Sequence, residues 1–237
     1  EGADIIDVGG ESTRPRSRAY GQGADFVSVE EELRRVIPVI EELTRRTDIP
    51  ISVDTYKSGV AREALKAGAV IVNDISGFTF DKAMPAVVAE AGASAVVMHI
   101  KGTPKTMQMN PTYEDLVGEV SAFLERGLER GRRAGIDQML VDPGIGFGKR
   151  LEHNLQLISS LTQFALLGYP ILVGPSRKSF IGAVLDVPVE ERLEGSVAAA
   201  VVCMMHGAHV LRVHDVKETK RAAMIADAIK HASTEST

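Results

Sequence analysis

The residues able to do chemistry in this chain stand at the ends of short apolar runs. Asp7, Asp54, Asn73, His99, Asp142, Ser176, Arg177, Lys178, Arg212 and His214 each close such a run or follow it within a few positions. Capping accounts for some of them: Asp54 and Thr55 precede a helical pattern, and Asp54 alone reads equally well as an N-cap. As a set they exceed what capping requires. They divide into acceptors, Asp54, Asn73 and Asp142, and cations, Arg14, Lys178, Arg212 and His214. That division suits a ligand with two unlike ends. A flat heterocycle offers amino and ring N–H donors to a carboxylate and an amide, while Arg and His take phosphate oxygens through charge-assisted hydrogen bonds. Arg212 and His214 are alternate residues of one run, so an extended backbone points both the same way. Lys178 also fits a second chemistry, an imine-forming nucleophile, if burial or the neighbouring Arg177 depresses its pKa.

The stretch Leu140-Val141-Asp142-Pro143-Gly144-Ile145-Gly146-Phe147-Gly148-Lys149 is the most informative. Met139, Leu140 and Val141 show no polar alternation, as expected of a strand covered on both faces in a parallel sheet. Asp142 then sits at the carboxyl end, where α/β folds bind ligands. The glycines match neither nucleotide motif: the third falls one residue early for the dinucleotide fingerprint, and Pro143 and Arg150 break the phosphate-loop pattern. Read in isolation, Asp142 serves equally as a turn cap beside glycines at positive φ.

Elements must place these residues together. A phrase of helix end, glycine and buried strand recurs at 67–73, 91–99 and 206–214, and the opening residues 1–8 match its second half. Strands are expected near 5–8, 51–54, 70–73, 95–98, 139–142, 171–174 and 210–213, and helices near 57–67, 82–91, 113–134, 151–166, 190–206 and 216–231. A further helix starts at Ser28, which with Glu31 forms a capping box, and Pro38 should kink it. Residues 1–3 read as the stub of a helix, and a right-handed crossover requires a strand before it. The expectation is therefore one domain over 1–237, an α/β (β/α)8 TIM barrel whose first β-α unit is missing from this sequence. Long connections at 10–27 and 101–112 follow strands, on the face where such loops commonly act as lids.

Net charge of -5 argues against nonspecific nucleic-acid binding or attachment to an anionic membrane, which leaves a small molecule as the expected partner. The longest apolar run, 197–205, is short of the roughly 20 residues that span a bilayer. Cys203, the one cysteine, has no partner for an internal disulfide and sits among apolar neighbours, which fits a reducing, cytoplasmic setting.

An ordered set of motifs resembles the dihydropteroate synthase family over nearly the whole chain. It comprises residues 4–15 ending Ser12-Thr13-Arg14-Pro15, then 51–55, 72–75, 142–149, Ser176-Arg177-Lys178-Ser179 and Arg212-Val213-His214-Asp215. The resemblance implies condensation of 6-hydroxymethyl-7,8-dihydropterin pyrophosphate with p-aminobenzoate, a step of folate biosynthesis. It implies that Asp54, Asn73, Asp142 and Lys178 hold the pterin, with Met98, Phe147 and Gly174 lining its pocket and Arg212 stacked on the ring. Arg212, His214 and Arg14 would bind the pyrophosphate, and Thr13, Arg14, Pro15 and Ser176 would shape the p-aminobenzoate site. Catalysis would rest on Arg212, His214, Lys178 and Asp54, with Mg2+ as cofactor and Asp7 near the metal and leaving group. The family's Asn metal ligand would lie upstream of Glu1. A homodimer and membership of a family targeted by sulfonamides are implied too. Two other readings stay open: a pterin-binding methyltransferase barrel, which has no need of Arg14, Arg212 and His214, and a pterin-binding module without activity.

Overall fold

The computed structural model describes residues 1–13 and 26–232. Among these, seven strands alternate with helices: β1 Ile6–Gly9, β2 Ile51–Asp54, β3 Ile71–Asp74, β4 Ser94–Met98, β5 Met139–Asp142, β6 Leu172–Val173 and β7 Val210–Leu211. β1 to β5 form one parallel ladder in chain order, the single bridge from Val141 to Ile171 carries it on, and β6 pairs in parallel with β7. Strand order never reverses, so there is no switch point of the doubly wound kind and the sheet follows barrel order. The strand positions agree with those read from sequence to within a residue or two.

Register decides what shares the mouth. Gly9 lies opposite Asp54 and Asp54 opposite Asn73, while Met98 lies opposite Asp142. Val53, Val72, Ala95, Val97, Val141, Ile171 and Val173 are fully buried and form the core under that row. Burial on both faces is why these strands lack alternation.

Between the strands lie α1 Val29–Arg46, α2 Ser58–Lys66, α3 Met84–Glu90, α4 Leu116–Ala134, α5 Leu151–Ser159, α6 Leu161–Phe164, α7 Ser179–Leu185, α8 Leu193–Met205 and α9 Val216–Ala232. In α1, Ser28 Oγ accepts from the Glu31 N–H (3.2 Å), acidic residues fill the first turn and arginines the last. Pro38 sits inside it on an exposed face, where the lost hydrogen bond is left to solvent. The helix expected over 151–166 is broken at Ser160 into α5, α6 and a 3-10 turn at Ala165–Leu167. The sequence pattern does not announce α7, because its seven residues carry Gly182 and an almost continuous apolar run.

Residues 14–25 of the first long connection lie outside the described residues. The second, 101–112, is fastened rather than free: Met107 is buried, Gln108 Nε2 donates to Gly146 O (2.8 Å), and Lys101 Nζ donates to Thr112 O. Among the described residues no ladder joins β7 to β1. Side chains cross that seam, Lys220 bonding Asp4 (2.6 Å) and Arg212 bonding Asp7 (2.6 Å).

Candidate active site

The strand ends bring Asp7, Asp54, Asn73, Asp142, Lys178 and Arg212 to one mouth, but acceptors and cations are interleaved and not split into two halves. Arg212, just beyond β7, donates through Nε to Asp7 Oδ2 (2.6 Å) and through a terminal nitrogen to Asp54 Oδ2 (2.7 Å). One guanidinium thus links the ends of β1, β2 and β7. Burial opposes its charge, yet Asp54 and Asp7 outweigh that and hold Arg212 above its ordinary range. Asp54 is pushed up to about 7 by burial, with Asp7 and Glu32 adding to the rise and Arg212 resisting it. Among the described residues, two buried acceptors at this mouth have no hydrogen-bond partner, Asp7 Oδ1 and Asn73 Oδ1. A buried acceptor left unpaired costs on the order of 1–3 kcal/mol, so each is a position at which a ligand's donor or a cation gains binding.

Asp142 is buried, and its Oδ1 accepts from the Gly144 N–H (2.7 Å), so it caps the turn as the bland reading held. Burial raises its pKa; the Gly144 N–H and the charges of Lys178, Lys149 and Arg212 oppose the rise. Met98, next to it in register, is buried. The glycine loop beyond Asp142 is held atom by atom. Ile145 O accepts from Lys178 Nζ (2.7 Å), Phe147 O from Lys149 Nζ (3.0 Å), Gly148 O from the Tyr113 hydroxyl (2.7 Å), and the Gly146 N–H donates to Asn154 Oδ1 (2.6 Å). Lys178 Nζ also lies 4.3 Å from the Phe147 ring centroid, a cation on an aromatic face. Gly144 is needed as glycine: at φ 71° an added Cβ would lie 2.0 Å from His99 O. Gly174 lies beside the Arg212 backbone, where an added Cβ would sit 3.6 Å from Arg212 Cβ.

Ser176 is buried, and its hydroxyl serves His214, accepting from the His214 N–H (3.2 Å) and lying 3.0 Å from Nδ1. Arg177, at φ 54°, is fixed in the left-handed region by a two-pronged pair with Asp215 (2.6 and 2.9 Å) and by its N–H to Ser196 Oγ (2.9 Å). Thr13 is half-buried, and Arg14 and Pro15 lie outside the described residues.

Three supports escaped the sequence reading. Lys149 Nζ is buried against His99 Nδ1 (2.8 Å). Lys57 is buried with Glu32 (2.5 Å), Glu11 and Val27 O (2.7 Å), joining both stems of the first long connection. Asn154 reaches the loop from α5. The Lys149–His99 and Lys57–Glu32 contacts span 50 and 25 residues of chain, and no local pattern reports them.

A divalent cation can be tested against these groups. No cluster of three His, Cys, Asp or Glu side chains able to ligate a metal occurs among the described residues. The orphaned Asp7 Oδ1 nonetheless fits a hard cation of the Mg2+ type, which is commonly held by one or two carboxylates together with substrate phosphates.

Fold and site together define a small-molecule enzyme of the parallel α/β barrel type, with its ligand site at the carboxyl ends of the strands. The chain belongs to the pterin-binding enzyme family, whose profile matches residues 1–214, and within it to the dihydropteroate synthases. It is 50% identical over 229 residues to the dihydropteroate synthase of Escherichia coli K12, covering 96% of this chain and 78% of that one. The Yersinia pestis dihydropteroate synthase, solved with a sulfonamide drug complex, superposes with a TM-score of 0.92 at 45% identity, over 97% of this chain and 82% of that one. The Thermus thermophilus enzyme in complex with 4-aminobenzoate gives 0.87 at 46% identity, over 96% and 84%. These relatives place the seven strands in a TIM barrel.

Proposed function

We propose that this chain condenses 6-hydroxymethyl-7,8-dihydropterin pyrophosphate with p-aminobenzoate to give 7,8-dihydropteroate and pyrophosphate. The bond from the pterin methylene carbon to the diphosphate oxygen breaks, the bond from that carbon to the aromatic nitrogen forms, and the amine proton leaves. The observation that carries the reading is the orphaned, buried Asn73 Oδ1, in register with Asp54 and a neighbour of the Asp142 strand end across β4. Pterin amino and ring N–H groups are donors of the kind these acceptors lack.

The residues then divide the work. Asp142, Asn73 and Asp54 read the pterin edge, Lys178 and Phe147 border its ring, and Met98 and Gly174 shape the floor. The main difficulty is charge gathering on departing pyrophosphate. Arg212 and His214 supply fixed positive groups where it develops, the His214 ring being set by Ser176. Arg14 adds a third, and Thr13, Pro15 and Ser176 border p-aminobenzoate. Asp7 would hold Mg2+ through Oδ1; when bound, the ion neutralises diphosphate oxygens. Because the pterin delocalises the developing cation, no protein nucleophile is required, and Lys178 serves as a donor. Sulfonamides, which the Yersinia relative binds, would compete for the p-aminobenzoate position.

Cytoplasmic placement is supported by the buried free thiol of Cys203; no helix among the described residues is long and apolar enough to cross a membrane. A homodimer is supported by the exposed apolar side chains Val202, Met205, Met224, Ile225 and Ile229 on α8 and α9. Across the seam, an additional β-α unit paired between β7 and β1 would complete the eightfold barrel.

The test is turnover of the two substrates with pyrophosphate release, paired with Asp142→Asn. That variant should lose at least tenfold in pterin affinity, since an N–H donor would then face ring donors. Product formation in wild type with unchanged pterin affinity in the variant would remove Asp142 from the site; no product in wild type would sink the reading.

A further inference from the structure

Lys149 is a buried cation whose hydrogen-bond partners carry no charge. Its Nζ is 2.8 Å from His99 Nδ1, 3.0 Å from Phe147 O and 3.4 Å from His99 O. Three acceptors around one nitrogen match the three donors of an ammonium group. His99 must then be neutral with its proton on Nε2, leaving the Nδ1 lone pair free to accept. Its surroundings agree: the ring is buried edge-on to Phe123 at 4.8 Å, and burial together with Lys149 pushes the imidazole down to about 2. A buried ammonium with only neutral partners needs an anion nearby to offset its desolvation.

That anion is Asp142. The two residues bracket the glycine loop, and the loop folds back so that an added Cβ on Gly144 would lie 3.3 Å from Lys149 Nζ, while the Gly144 N–H is bonded to Asp142. The groups facing Asp142 are Lys149 and the Gly144 N–H from its own loop, Lys178 from the β6 side, Arg212 from the β7 side, and the Cys203 thiol from α8. Burial holds Lys149 well below the ordinary lysine range, with Asp142 opposing the fall and Lys178 and Lys101 adding to it, and His99 faces Lys149, Lys101 and Arg126. Lys178 and Arg212 have work with ligand in the proposed reaction. Lys149, sealed behind the loop, is the cation of this set kept from ligand.

We propose that Lys149, seated on His99, is a positioning residue that supplies the countercharge to Asp142 and so sets the acid limit of pterin binding. The same contacts fix the loop wall, since Lys149 grips Phe147 O and His99 at once. This rests on the pterin reading given above. It differs from a purely structural role because a charge acts on the protonation of Asp142, whereas a packing role acts on affinity at every pH alike.

The experiment is calorimetric titration of the whole chain with 6-hydroxymethylpterin, a probe without phosphates, between pH 4.5 and 8. Wild type should lose affinity as acid protonates Asp142. In Lys149→Met, which keeps length and apolar bulk, the midpoint of that loss should move up by about one pH unit or more, giving roughly tenfold weaker binding between the two midpoints. Asp54 titrates in both proteins, so the difference between the profiles is what is read. Parallel profiles, displaced equally at all pH values, would overturn the proposal. If the variant does not fold, the Cε carbon-13 shift of Lys149 in wild type decides: an ammonium at every pH where the pterin binds supports the proposal, and a neutral amine at pH 7 overturns it. Absence of binding by wild type at any pH would instead refute the pterin reading, and this proposal with it.

Discussion

At the scale of single residues, the site trades stability for readiness. Asp54 has its pKa raised to about 7, so the folded chain holds that proton more tightly than the unfolded chain does. Its contribution to stability is therefore fully present below the ordinary carboxylate value of 3.8 and is lost as pH rises through about 7. Asp54→Asn should gain stability relative to wild type in urea unfolding at pH 8, by on the order of 1 kcal/mol once the lost Arg212 pairing is subtracted, and no gain at pH 4. A wild type equally stable relative to the variant at both pH values would show that folding does not raise the pKa of Asp54. What the sequence offered at this scale was residue type and place. Asp7, Asp54, Asn73, Asp142 and Arg212 were visible because each ends an apolar run. That Arg212 grips Asp7 and Asp54 was not visible, since those contacts span 205 and 158 residues of chain and no local rule reports them.

At the scale of elements, the glycine loop behaves as a wall made of backbone. Four of its hydrogen bonds come from side chains on other segments, Lys178, Tyr113, Gln108 and Asn154, and a fifth from Lys149 at its own end. Two glycines with similar angles separate the effects of strain and contact. Gly92→Ala, at φ 61° with nothing near the new Cβ, should cost about 1 kcal/mol, whereas Gly144→Ala should cost on the order of 3 kcal/mol or more and abolish pterin binding. Denaturant midpoints and pterin calorimetry on both variants check this; similar losses would mean that the loop yields. The glycines announced a turn in the sequence, but the pinning residues did not announce themselves. Lys149 looked like the remnant of a failed phosphate loop, and Asn154 like an ordinary polar residue of a helix.

At the scale of the whole molecule, strand count and order were legible because burial on both faces removes alternation and the glycine-ended phrase repeats. The short α7 and the break at Ser160 were not, because neither carries enough residues to show a helical period. The edges of β1 and β7 form the weak side. Hydrogen exchange should find the amides of β1 and β7 exposed to solvent orders of magnitude sooner than those of β3 and β4, which are paired on both sides. Equal protection would mean that the seam is closed by pairing. The Lys220 and Asp4 pair is largely exposed and worth at most about 1 kcal/mol. Another tie across the seam is Arg212 with Asp7, which belongs to the ligand site. Barrel closure and occupancy are consequently two readouts of one equilibrium. Any ligand that engages Asp7 and Arg212 together acts as a splint between the first and last strands, and reciprocity requires that whatever splints those strands elsewhere tightens the ligand by the same factor.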